Sequence, residues 1–156
     1  MLLPIVVLGA MIFTQCASAA PSKDTGTAVF NDVKGKEWAL LEVRTPGKTI
    51  TINRRQLEDY HLSGAYTISF REGMVGGMGA PNRCTAPYTE GPGNSLNIGN
   101  IASTMMLAFR EPDDLREHEF FAYLSAVDRW NLRNEKLELH SKDSGGNEAI
   151  LVFEIR

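Results

Sequence analysis

Few residues in this chain have the types and spacing that chemistry requires. Cys84 is a candidate thiol nucleophile. Such a nucleophile needs a base and an orienting group beside it in space. The three histidines, His61, His118 and His140, stand far from it or from each other in the sequence. No G-x-S-x-G offers a serine instead. A free cysteine is more often buried and inert, so an enzyme centred on Cys84 is the weakest reading, and no catalytic residue is assigned. His118-Glu119 begins like H-E-x-x-H, but Ala122 stands where the second histidine belongs. One histidine does not hold zinc, which takes three or four ligands, so no metal is expected. Asp143-Ser144-Gly145-Gly146-Asn147-Glu148 has too few regularly spaced oxygens for a calcium loop and reads as a solvated turn. The run Gly73-Met74-Val75-Gly76-Gly77-Met78-Gly79 contains G-x-G fragments, but Asn82 stands at the third glycine position and polar loop follows. A dinucleotide site needs a helix there. No cofactor is expected; the glycines read as a strand that allows a bulge or a close backbone approach.

Two segments read as recognition surfaces rather than reaction centres. Residues 79–92 carry Pro81, Pro87 and Pro92 together with Asn82, Arg83 and Tyr88. As a long ordered loop this segment presents Asn82, Arg83 and Tyr88 as a tentative binding surface. The alternative is a rigid connection in which Asn82 satisfies backbone groups of a turn. Met74, Met78, Met105 and Met106 read either as the lining of an adaptable apolar cavity or as ordinary core packing, since methionine suits both.

The bulk properties limit the partners. The chain has 156 residues and a net charge of −3, mixed along its length. A mildly acidic chain argues against nucleic acid. Met1 to Phe13 is an uncharged apolar run, too short to span a bilayer, followed by small residues. Residues 1–19 therefore read as a secretory signal. Either Ala17-Ser18-Ala19 is the cleavage site and the mature chain starts at Ala20, or Cys16 accepts a lipid and anchors the chain to a membrane. Residues 20–32 read as a tether and 33–156 as one domain. With cleavage after Ala19, Cys84 is the one cysteine left, and the domain relies on its hydrophobic core.

The elements follow from periodicity. Trp38 to Val43 is apolar and strand-like, and Thr49 to Asn53 alternates threonine outward with isoleucine inward. Arg54 to His61 is a helical turn or loop. Tyr66 to Phe70 alternates, with Tyr66, Ile68 and Phe70 on one face. It pairs through Arg71-Glu72-Gly73 with Met74 to Met78 as a hairpin. Leu96 to Ile101 is a further strand. Trp130 to Arg133, Leu137 to His140 and Ile150 to Ile155 are three more, with turns at Asn134-Glu135 and Ser144 to Asn147. Asp114 and Glu117 have capping-box spacing. Leu115, Phe120 or Phe121, Leu124 and Val127 recur at helical spacing. The spacing predicts a helix over Asp113 to Val127.

Several of these segments, in order, resemble the META (HslJ-like) domain family. They are the Trp-led strand Lys36-Glu37-Trp38-Ala39-Leu40, then Ile68-Ser69-Phe70 and Met74-Val75-Gly76-Gly77. After them come the loop Ala80-Pro81-Asn82-Arg83-Cys84-Thr85-Ala86-Pro87-Tyr88, Thr104-Met105-Met106-Leu107-Ala108, and Glu119-Phe120-Phe121 with Leu124, Trp130, Leu137 and Leu139. The resemblance spans roughly Val33 to Phe153. It departs where the family often carries two cysteines, positions held here by Pro81 and Ala108. The resemblance implies association with stress, drug tolerance or virulence, and no established enzymatic activity. It also implies a partly open barrel, in agreement with the strand count. The expected fold is α+β, mainly β: a small antiparallel, partly open β-barrel of about seven or eight strands with one helix packed across it. The expected function is a non-enzymatic, exported protein of the periplasm or cell envelope that binds a partner protein under stress. The alternative is a carrier of a hydrophobic small molecule in the barrel interior.

Overall fold

A computed structural model describes residues 28–156. The expected secretory signal at 1–19, with Cys16, and the first part of the expected tether lie outside the described residues. Packed structure begins earlier than residue 33. A 3-10 turn at Phe30–Asp32 places the buried Phe30 ring 5.1 Å from both Phe70 and Trp130 and 5.6 Å from Tyr88. That aromatic group closes one end of the core.

The domain is a nearly closed antiparallel barrel. Its strands are β1 (Trp38–Thr45), β2 (Lys48–Thr51), β3 (Thr67–Arg71), β4 (Met74–Met78), β5 (Arg83–Glu90), β6 (Leu96–Ile98), β7 (Ala102–Ser103), β8 (Arg129–Arg133), β9 (Lys136–Lys142) and β10 (Glu148–Ile155). The main path runs β6-β5-β4-β3-β1-β10-β9-β8, with β2 on β1 and β7 on β5. Closure comes at the start of β6. Leu96 donates its N–H to the Asp128 carbonyl at 3.1 Å, and Trp130 donates to the Asn94 carbonyl at 2.9 Å. A closed sheet leaves few strand edges open to pairing.

Local sequence sets this path. Glu72-Gly73 and Asn134-Glu135 link their strands as two-residue turns, with positive φ at both positions (47° and 78°; 49° and 61°). Such turns match the right-handed twist of the hairpins they join. β1 pairs with β3 at Trp38 and Ala39 and with β2 from Glu42 onward. At the split, Arg54 donates to the Ala65 carbonyl at 2.7 Å and to the Leu40 carbonyl at 2.5 Å. The half-buried guanidinium thus supplies donors to carbonyls that a continuous ladder would have satisfied. Trp38, Leu40, Val43, Tyr66, Ile68, Phe70, Leu137, Leu139, Leu151 and Phe153 fill the interior. Close packing of this kind makes the interior a core rather than a vessel.

Two helices accompany the sheet: α1 (Arg54–Asp59), capped by Asn53, and α2 (Glu117–Ser125). Here two expectations change. The helix predicted over Asp113 to Val127 starts at Glu117, and its cap is Arg116, whose N–H donates to the Glu119 carboxylate at 2.9 Å. The reason is Leu115: its side chain is buried and its carbonyl accepts the buried Tyr66 hydroxyl, so the chain stays extended through Arg116. The predicted apolar face survives, with Leu115, Phe120, Leu124 and Val127 all buried. The predicted loop at 79–92 is largely strand β5. Pro81 and Pro92 lie outside it, and Pro87 falls where β5 passes from β7 to β6. There the Pro87 carbonyl accepts from Gly99 at 2.8 Å, so the N–H that proline lacks belongs to the same broken edge.

Candidate functional site

Asn82 organises one end of the barrel. It stands just before β5, is 5% exposed, and uses every polar group it has. Its N–H donates to Glu117 Oε1 at 2.6 Å, and its Nδ2 donates to Glu117 Oε2 at 2.7 Å and to the Met106 carbonyl at 3.1 Å. Its Oδ1 accepts from the Thr104 hydroxyl at 2.8 Å and from the Met106 N–H at 2.6 Å. Its own carbonyl accepts from Gly79 at 2.6 Å. One side chain thereby fastens the start of β5, the segment after β7 and the first turn of α2. Glu117 sits there as an acid in the first helical turn, where the helix dipole favours it. Gly79 makes the approach possible: a Cβ on it would meet Glu117 Oε1 at 2.5 Å and the Phe121 ring at 2.7 Å. These bonds fit the turn-satisfying role considered for Asn82.

The segment held by Asn82 projects an apolar tip. Met105, Leu107 and Phe109 are 98, 97 and 97% exposed, and Met106 is 61% exposed. Most other large apolar residues among those described are buried. Beside the tip lies a cleft of about 450 Å³, walled by Tyr60, Leu62, Pro81, Met106, Phe109 and Arg110. The Arg110 guanidinium lies 5.5 Å from the centre of the Tyr60 ring, a cation–π distance. Exposed apolar surface gathered at one place makes this segment the candidate contact surface of the domain.

The residues singled out from the sequence are distributed differently. Asn82 is buried, Arg83 is exposed on the outer face of the barrel, and Tyr88 is 7% exposed, with its ring 5.1 Å from Phe70. The three share no surface, because alternation along β5 turns Tyr88 inward and Arg83 outward. The four methionines line no common cavity. Met74 and Met78 lie on β4 opposite Pro87 and Arg83, whereas Met105 and Met106 belong to the tip. Cys84 is half-buried, and burial, with the Glu117 carboxylate adding to it, pushes its thiol up to about 11. A thiol held protonated is a poor nucleophile. Among the described residues no three His, Cys, Asp or Glu side chains gather as metal ligands, and no helix is long and apolar enough to cross a membrane. Sequence reasoning missed Leu107, Phe109 and Arg110 as surface residues. The available signal was the uninterrupted run Met105 to Phe109, which has neither strand nor helix periodicity.

Comparison with known proteins agrees with this architecture. The family model described as META domain matches residues 31–153. No curated protein matches the chain. Among solved structures, a protein from Burkholderia xenovorans determined by NMR is similar at a TM-score of 0.62 and 18% identity, over 93% of this chain and 99% of that one. A DUF4847 family protein from Bacteroides vulgatus, known from its crystal structure, is similar at a TM-score of 0.54 and 12% identity. It covers 81% of this chain and 96% of its own. At such identities the likeness is one of fold.

Proposed function

The chain belongs to the META domain family, and from that premise we propose that it is an exported, non-enzymatic envelope protein that captures a partner protein on the apolar tip at residues 105–109. The observation that carries this reading is the exposure of Met105, Met106, Leu107 and Phe109 on a segment tied down by Asn82. A tip fixed before binding loses little conformational freedom on binding. The cleft beside it, with Arg110 over Tyr60, suits an apolar side chain of the partner. The leader-like segment 1–19 supports export, and Cys16 is the residue that lipidation would use. The filled barrel interior favours this reading over a carried lipid. The protonated Cys84 thiol gives no support to a cysteine-dependent enzyme.

The test is site-specific photo-crosslinking in the producing cell. A photoreactive phenylalanine analogue replaces Leu107 or Phe109, and in a control it replaces the exposed Arg133. A discrete protein adduct from the first two positions and none from the third is the expected result. The Leu107→Ser/Phe109→Ser variant should keep its stability within about 0.5 kcal/mol, as exposed substitutions do. It should also lose the adduct formed from an analogue placed at Met105. An absence of adducts at all tip positions, or the same adducts from Arg133, would refute the reading.

A further inference from the structure

The glycine run of β4 has a second consequence, on the outer face of the barrel and away from the apolar tip. Register places Arg71 of β3 opposite Met74, Ser69 opposite Gly76, and Arg83 of β5 opposite Met78. Gly76 therefore lies midway on the diagonal between the two arginines. With strands about 4.8 Å apart and a rise of about 3.3 Å per residue, each arginine Cα stands ~8 Å from Gly76. That is within reach of an extended arginine side chain. Gly76 leaves the sheet bare between them and, with the Gly77 backbone, forms the floor of a cleft of about 350 Å³, with Arg71, Arg83, Ser69 and Glu37 in its walls.

Neither Arg71 nor Arg83 forms an ion pair among the described residues. The one carboxylate in the wall, Glu37, is held by Arg156 at 2.9 Å. The cleft is thus left with two uncommitted guanidinium groups and the Ser69 hydroxyl. A guanidinium pairs with two oxygens at once. Two of them within reach of one floor without side chains suit a compact group with more than two acceptor oxygens and more than one negative charge. A single carboxylate is too small for both.

We infer that the cleft over Gly76 and Gly77 is a binding site for a phosphate group, clamped by Arg71 and Arg83 with Ser69 as a further donor. The ligand class is a phosphate or phosphate monoester, free in solution or exposed on a lipid headgroup. Gly76 is as essential as the arginines, because a side chain there fills the space the phosphate takes.

The experiment is an amide NMR titration of the full chain with inorganic phosphate against sodium chloride at matched ionic strength. Saturable shifts at the Gly76 and Gly77 amides are expected with phosphate. Arg71→Ala and Arg83→Ala should each weaken binding about tenfold, the loss expected for one charged hydrogen-bonding partner. Gly76→Val provides a variant that spares the fold, since a Cβ there meets only the Cys84 carbonyl, at 3.9 Å. It should melt like the parent chain and bind no phosphate. Vesicles of phosphatidylcholine with phosphatidic acid, compared with phosphatidylcholine alone, identify the source. Capture by the former that needs both arginines assigns the phosphate to a lipid, and titration by free phosphate without capture assigns a soluble ligand. If phosphate and vesicles both leave the glycine amides unmoved, or if the double arginine variant binds as the parent does, the site does not exist. The apolar tip takes no part in this assay, so its failure and that of the tip reading are separable.

Discussion

Removing the Asn82 side chain tests whether one residue holds the end of the barrel together. Asn82→Ala deletes four side-chain hydrogen bonds, one to the Glu117 carboxylate and three to Thr104 and Met106. A bond to a charged group contributes about 1.5–3 kcal/mol and a neutral one about 1 kcal/mol, less where water replaces the partner. Met106 is well exposed, so its groups recover much of their loss from water, whereas Glu117 keeps only the Asn82 N–H. The expected cost is about 3 kcal/mol out of a total stability on the order of 5–15 kcal/mol. Asn82→Asp is the sharper probe. It replaces the Nδ2 donor, 2.7 Å from Glu117 Oε2, with a second carboxylate oxygen. Like charges that close raise a carboxyl pKa in the folded state. A group raised on folding contributes stability below its unfolded pKa and loses it as pH rises through the folded value. Asn82→Asp should therefore be less stable than Asn82→Ala near neutral pH, and should approach or pass it at about pH 4. Urea denaturation followed by circular dichroism at both pH values measures this. An Asn82→Ala loss below about 1 kcal/mol, or an Asn82→Asp variant no worse than the alanine near neutral pH, would sink the argument.

Two other consequences are open to measurement. The Cys84 thiol is raised from 9.0 to about 11, so the folded chain should lose stability as pH climbs through that interval, and Cys84→Ala should flatten this alkaline limb. Near pH 8 the same thiol should react with iodoacetamide far more slowly than in the chain unfolded in urea, and equal rates would contradict its burial. Gly77→Ala should cost about 1–3 kcal/mol, because a Cβ there drives into the Thr67 carbonyl oxygen, a backbone atom that side-chain rotation cannot move. Thermal melting of the two chains side by side is enough to check it, and an unchanged melting temperature would mean that β3 and β4 separate at no cost.

The hairpins were legible because their signals are local. Glu72-Gly73 and Asn134-Glu135 each stand between alternating runs, and two-residue turns leave one register. The helix start was not, because two caps compete in one stretch. Asp114 with Glu117 and Arg116 with Glu119 both have the spacing, and the distant Tyr66 hydroxyl decides between them by taking the Leu115 carbonyl. No local rule contains that contact. Strand β5 was hidden by Pro87, and by the prolines on either side of it, for a related reason. A proline counts against a strand only where its N–H would have been used, and the change of partner from β7 to β6 that spares Pro87 is a property of the closed barrel.

The candidate site failed to show itself for a different reason. Met105 and Met106 look the same in sequence whether they pack a core or face water, since hydrophobicity states a preference and carries no direction. Asn82 bonds the N–H and carbonyl of Met106 and so holds the backbone there, and the side chains of Met105 and Leu107 on either side stand exposed. Asn82 was expected on a binding surface, and the structure instead buries it beneath the segment that carries the tip. Loosening Asn82 should release the apolar tip and weaken partner capture. The phosphate cleft is built on the β3–β4–β5 ladder, and Arg83 enters it through its pairing with Met78. Arg83 follows Asn82 and its N–H donates to the Thr104 hydroxyl that Asn82 also holds, so the separating substitution lies farther out: Leu107→Ser should impair the first function and leave phosphate affinity near that of the parent chain. Equal losses of both would mean that the tip and the cleft respond to one conformational change rather than standing as independent surfaces.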